Sequence, residues 1–118
     1  MIFHIANPKE YNAIIDSHAL EYKPAAFDSE GFIHCSTSEQ IAGTLDKHFK
    51  SADRLIILAI DTEAEKEYTR FENLSGSGQD FPHIYRPLSV SSILDAWLMD
   101  RNEDGGFDIP YQWMSRFH

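Results

Sequence analysis

The sequence predicts an α+β fold in a single domain, and three observations carry that prediction. At 118 residues the chain is near the common domain size, so a second core would be hard to supply. Short apolar, β-capable stretches recur along it, and two of the junctions between them carry helix-capping residues. With 42% apolar and 25% charged residues and a mean hydropathy of -0.38, the chain can bury a core and has no disordered or fibrous signature.

Residues 1–6 form the first expected strand. Asn7-Pro8 then supplies a cap and a proline for the first turn of a helix, with Glu10 at the capping-box position. Tyr11, Ile14, Ile15 and His18 fall at i, i+3, i+4 and i+7, which gives that helix one buried stripe. Residues 21–30 look like a connecting loop. Gly31 to Ser36 follows as a strand with Phe32, His34 and Ser36 on one face and Ile33 and Cys35 on the other.

Ser36 with Glu39 makes a second capping box, for a helix to about Phe49 with Ile41, Leu45, His48 and Phe49 as its stripe. Arg54 to Ile60 is the most continuous apolar run, so it predicts a central strand buried on both faces. Another strand, about Glu67 to Glu72, precedes the flexible loop Ser75-Gly76-Ser77-Gly78, a plausible lid. Residues 83–88 and 90–98 supply one or two more strands. After a charged turn at 100–106, Ile109, Tyr111, Trp113, Met114 and Phe117 are too apolar for a free tail. The 98–118 extension should pack back on the domain or on a second copy, which would make a homodimer.

Composition narrows the function. A net charge of -9, with ten scattered basic residues, works against gripping a nucleic-acid backbone through its phosphates. A small anionic ligand is compatible with that field, because a few N–H groups and one arginine can hold a phosphate. Cys35 is the single cysteine, so no intrachain disulfide or multi-cysteine zinc site can form, and a reducing, cytoplasmic setting is expected. Neither a leader pattern nor an apolar run of membrane-spanning length is present, so no membrane partner is expected.

The chemistry-bearing residues are histidines in strand-like surroundings. An imidazole that leaves water needs a hydrogen-bond partner, a metal or a ligand. His34 lies just before a predicted helix N-terminus, with Ser36 on its face and Thr37 opening the helix; the plain alternative is a histidine bonded to backbone at a strand end. His83 and Tyr85 share a face and could line one pocket wall, or could belong to an edge strand starting at Pro82. Glu72 at a strand end could orient an imidazole or stabilise a developing cation; the bland partner for it is Arg70 on the same face. His4, His34, His83 and Glu72 could also ligate zinc, although no close-spaced ligand motif supports a metal. Cys35 points away from His34 and lacks a base there.

Gly31 to Thr37, the Leu55 to Asp61 strand, Phe71-Glu72, Phe81 to Tyr85 and the opening Phe3-His4-Ile5 together resemble the bacterial DUF952 family, over about residues 1–98. That family is related by fold to the ADP-ribosyltransferases. The resemblance therefore implies a small split β-sandwich of ADP-ribosyltransferase-like type, with two helices in the N-terminal half, cradling NAD or a related nucleotide as substrate rather than as a fixed cofactor. It implies that His4 contacts the ribose, that His34 borders the nicotinamide and that Glu72 assists transfer. Ser36, Thr37, His83, Tyr85 and Arg86 would complete the binding site. Arg86 stands where the family pattern has glycine, so it is expected to fill or charge the pocket. A non-catalytic ligand-sensing or protein-interaction module is the alternative, and a histidine metal site is the second.

Overall fold

The computed structural model describes residues 1–74 and 76–117. In chain order these form β1 (Ile2–Ala6), α1 (Pro8–Asp16), β2 (Glu21–Tyr22), α2 (Phe27–Glu30), β3 (Ile33–His34) and α3 (Ile41–His48). There follow β4 (Arg54–Ile60), β5 (Thr69–Glu72), β6 (Phe81–Ile84), β7 (Leu88–Ser89), β8 (Ile93–Asp100) and α4 (Tyr111–Met114). The strands pair antiparallel in three sheets, ordered β1-β4-β8, β2-β7 and β3-β6-β5. Among the described residues no helix is long and apolar enough to cross a membrane.

β4 is central, as its unbroken apolar run predicts, and Leu55 to Ile60 are all buried. Because side chains alternate across a strand, the run feeds two cores. Ile56, Leu58 and Ile60 join Ile2, Tyr22, Ile33 and Leu88 on one side. Leu55, Ile57 and Ala59 join Phe3, Ile41, Leu45 and Trp113 on the other.

α1 begins as its caps dictate, with Glu10 N–H donating to the Asn7 side chain at 3.1 Å and Pro8 in the first turn. Tyr11 and Ile14 pack on the first core. His18 does not belong to the stripe: the helix stops at Asp16, and His18 is exposed in the left-handed region at φ 60°. The second capping box is displaced. Ser36 is held in a bridge to Phe3, its Oγ meets Thr44 Oγ1 at 2.9 Å, and α3 starts only at Ile41. Gln40, not Glu39, reaches back to the Thr37 N–H at 3.1 Å.

The span 21–30 is not a plain connecting loop. It holds β2, whose Tyr22 is fully buried opposite Leu88, and the short α2, which Gly31 ends with a left-handed φ of 83°. Among the described residues the N-terminal half therefore holds three α-helices where two were expected, and α4 adds one near the C-terminus. The 83–88 strand is divided into β6 and β7, since Tyr85 and Arg86 form a bend between them. The C-terminal segment packs on its own domain: Trp113 and Met114 are buried, and the Trp113 ring lies 6.2 Å from Phe3 and 5.5 Å from Trp97. Its Nε1–H donates to Asp95 at 3.0 Å. His118, the last residue of that segment, lies outside the described residues.

An ion pair that the sequence pattern did not single out fixes the turn before β5 and the bend after β6. Glu65 is fully buried and accepts from Arg86 Nε at 3.0 Å, from Arg86 Nη2 at 2.8 Å and from Ser92 Oγ at 2.7 Å. The Arg86 guanidinium also lies 4.0 Å from the centre of the Tyr68 ring. Removing one member of a buried pair strands the other charge. Arg86→Ala should therefore lower the unfolding free energy in urea by about 3 kcal/mol. Pairing it with Glu65→Gln should restore part of the loss; equal stability of Arg86→Ala and the native chain would contradict this.

Candidate functional site

A cleft of about 730 Å³ opens where β1, the 31–36 segment, β6 and α3 meet. That volume lies within the range of small-molecule sites. Its floor depends on a seam between two sheets: Phe3 and Ser36 exchange backbone hydrogen bonds of 2.8 Å in both directions. On the far side of the seam, β3 pairs with β6 so that His34 stands directly opposite His83. The two imidazoles meet edge-on, with ring centres 5.1 Å apart. Phe32 stacks on His83 at 4.3 Å and lies 4.7 Å from His34.

His4 projects from β1 and is buried. Its Nδ1 lies 2.6 Å from the His34 carbonyl oxygen, which can only accept, so Nδ1 carries the proton. Nε2 is then the acceptor for the Tyr22 hydroxyl at 3.2 Å. Loss of water around the ring pushes the His4 pKa down to about 4, so the neutral form is the one built into the fold. The same burial raises the pKa of the Tyr22 phenol.

Glu72, at the end of β5, lines the cleft and orients two neighbours through one oxygen. Its Oε1 lies 3.1 Å from His83 Nδ1 and accepts the Tyr85 hydroxyl at 2.5 Å. The Tyr85 bond, then the His83 bond, hold the Glu72 carboxyl below its ordinary pKa, and the same carboxylate raises Tyr85. Arg70 is not the ion-pair partner of Glu72; it lies over the Tyr85 ring, 5.5 Å from the centre. His34 has a carboxylate of its own, with Nε2 2.5 Å from Oε2 of Glu30 in α2.

The predicted site residues thus separate into two groups. His4, His34, Ser36, Glu72 and His83 line the cleft, and Tyr85 touches it through Glu72. Thr37 and Arg86 are not among the lining residues. Gln40 occupies the Thr37 N–H, and Glu65 engages the Arg86 guanidinium, so Arg86 does not charge the pocket. Cys35 is buried, which pushes its thiol pKa up and keeps it protonated. Among the described residues no three His, Cys, Asp or Glu side chains converge as metal ligands, and both His4 nitrogens already have partners.

Tyr22, Phe32, Glu30 and Lys47 also line the cleft, and sequence reasoning gave none of them a site role. The available signal for Phe32 was its place on the His34 face. Leu74, Ser77 and Gln79 put the Gly-Ser loop at the cleft's edge, while Ser75 lies outside the described residues.

The model of a family described as "Protein of unknown function (DUF952)" matches residues 5–96. The chain belongs to the DUF952 family. A crystal structure of protein CC0527 from Caulobacter crescentus is 32% identical, with a TM-score of 0.80 and 97% of each chain covered. The solution structure of the same protein is 33% identical over 88% of each chain, with a TM-score of 0.75. The likeness to the crystal structure extends past residue 96, where the family match ends, so the C-terminal segment belongs to the shared fold. No curated protein matches the chain.

The His4 environment sets a pH dependence. Unfolded, its imidazole returns to about 6.5; folded, it titrates at about 4. The unfolded chain binds the extra proton between those values, so stability is full above about pH 6.5 and falls toward pH 4. The expected loss is about 3 kcal/mol in denaturant titrations from pH 7 to pH 4. His4→Gln should flatten that slope, and an unchanged slope in the variant would remove His4 as its source.

Proposed function

We propose that the cleft binds NAD or a related nucleotide and acts as an ADP-ribosyltransferase-like site within a split β-sandwich. The observation that carries this reading is the convergence of His34, His83 and Glu72 on one wall of a 730 Å³ cleft whose lining is mostly apolar and aromatic. Flat ring systems suit such a wall, with the nicotinamide against Phe32 and His34 and the ribose toward His4 and Tyr22. Lys47, which also lines the cleft, supplies a cation for the pyrophosphate in a chain of net charge -9.

In the transfer step the bond between the ribose C1′ and the nicotinamide nitrogen breaks, and nicotinamide leaves with the bonding electrons. Positive charge develops on the ribose. Glu72 is suited to stabilise it: Oε1 is held by His83 and Tyr85, while Oε2 has no protein partner among the described residues. A second reading, a non-catalytic interaction module, draws on β8, an edge strand that leaves Leu94, Trp97 and Leu98 about half exposed.

The test is a titration of isotopically labelled protein with NAD, followed by amide shifts in NMR. Saturable shifts around His4, His34 and His83 are expected, and no shift at millimolar NAD would overturn the nucleotide reading. Glu72→Gln should abolish nicotinamide release while NAD binding changes no more than a few-fold. Lost binding in that variant would count against the charge-stabilising role.

A further inference from the structure

His83 differs from the other buried polar side chains of the site. Its Nδ1 faces the Glu72 carboxylate at 3.1 Å, an acceptor, so Nδ1 carries the proton and Nε2 of the neutral ring keeps a free lone pair. Nε2 has no protein partner among the described residues, and none of their buried side-chain nitrogen or oxygen atoms lacks a partner. The small exposure that His83 retains, 4% of the residue, must therefore include Nε2. His83 is itself one of the residues that line the cleft.

The ring is also fixed in orientation. Phe32 stacks on one face at 4.3 Å, His34 meets it edge-on, and Glu72 is itself anchored by the Tyr85 hydroxyl at 2.5 Å. An oriented imidazole with a bare nitrogen at the wall of a ligand cavity is the arrangement a general base requires. His4, by contrast, has both nitrogens engaged, and His34, bonded to Glu30 through Nε2, is more than half exposed and so is not held as His83 is.

We infer that His83 is the catalytic base of this site, taking a proton from an O–H nucleophile through Nε2, with Glu72 as its positioning residue. The inference rests on the nucleotide reading and adds the acceptor class to it: water or an alcohol. The acceptor oxygen forms a bond to the ribose C1′ as the bond from C1′ to the nicotinamide nitrogen breaks. Nicotinamide departs with that electron pair, and the proton of the acceptor moves to Nε2 of His83 and then to solvent. Water gives free ADP-ribose; an alcohol gives the ADP-riboside.

The experiment runs the full chain with NAD in water alone and with added methanol, reading nicotinamide release, free ADP-ribose and the methyl riboside, beside NAD binding by NMR. Free ADP-ribose in water alone identifies water as acceptor; the riboside in methanol identifies an alcohol. His83→Asn retains a side-chain N–H for Glu72 and removes the base. Its release rate should fall about 100-fold with binding nearly unchanged. A rate within threefold of native, or NAD binding with no release in either arm, would overturn this inference and leave the nucleotide reading standing; no NAD binding would overturn both. Nitrogen-15 NMR of the native protein gives a test that needs no variant. The neutral His83 ring should carry its proton on Nδ1, with a population moving to Nε2 in Glu72→Gln. A proton on Nε2 in the native ring would also overturn the inference.

Discussion

The site exists because two sheets are joined edge to edge at one short seam. β1 is fully buried and paired with β4 along five residues, which leaves its other edge to satisfy its backbone elsewhere. It does so through Phe3 and Ser36, and the neighbouring His4 ring adds a side-chain bond to the His34 carbonyl. Those three hydrogen bonds fix where β3 starts and, through the pairing of β3 with β6, where His83 lies. Register then does the rest, because a one-residue slip in β3 would part His34 from His83, its partner across the strands.

Buried polar groups around this seam fall into two kinds. Glu65 is surrounded by Arg86 and Ser92 and has nothing left to offer a ligand. His4 is similarly satisfied at both nitrogens. Such closed groups specify how loops and strands meet, since a misplaced strand would leave them unpaired in a low-dielectric interior. His83 is held just as firmly and remains open at one atom. That difference, not burial as such, separates scaffold from site.

Much of this was legible in the residues. The unbroken Leu55 to Ile60 run required burial on both faces, and Asn7-Pro8 with Glu10 set the start of α1. Period-two alternation placed Phe32 and His34 together, and their rings lie 4.7 Å apart. The failures share a cause: tertiary contacts overrode local signals. Ser36 has the sequence of a cap, but the bridge to Phe3 claimed it. Tyr22 sits in a stretch with the look of a loop, and only its distant pairing with Leu88 makes it a strand. Arg86 answers to Glu65, 21 residues away, a partnership no local pattern announces. Glu30 likewise reaches His34, four residues on, because it ends α2 and Gly31 then turns the chain.

Both tryptophans of the chain report on the same place. Trp97 on β8 and Trp113 on α4 lie 5.5 Å apart, and neither lines the cleft. Intrinsic fluorescence of this protein is therefore a gauge of how the C-terminal helix seats on the first sheet. Excitation energy passes between two indoles at that spacing, so their emission behaves as one signal. A ligand entering beside His83 would leave that emission nearly silent, and a change in it would mark movement of the C-terminal helix instead.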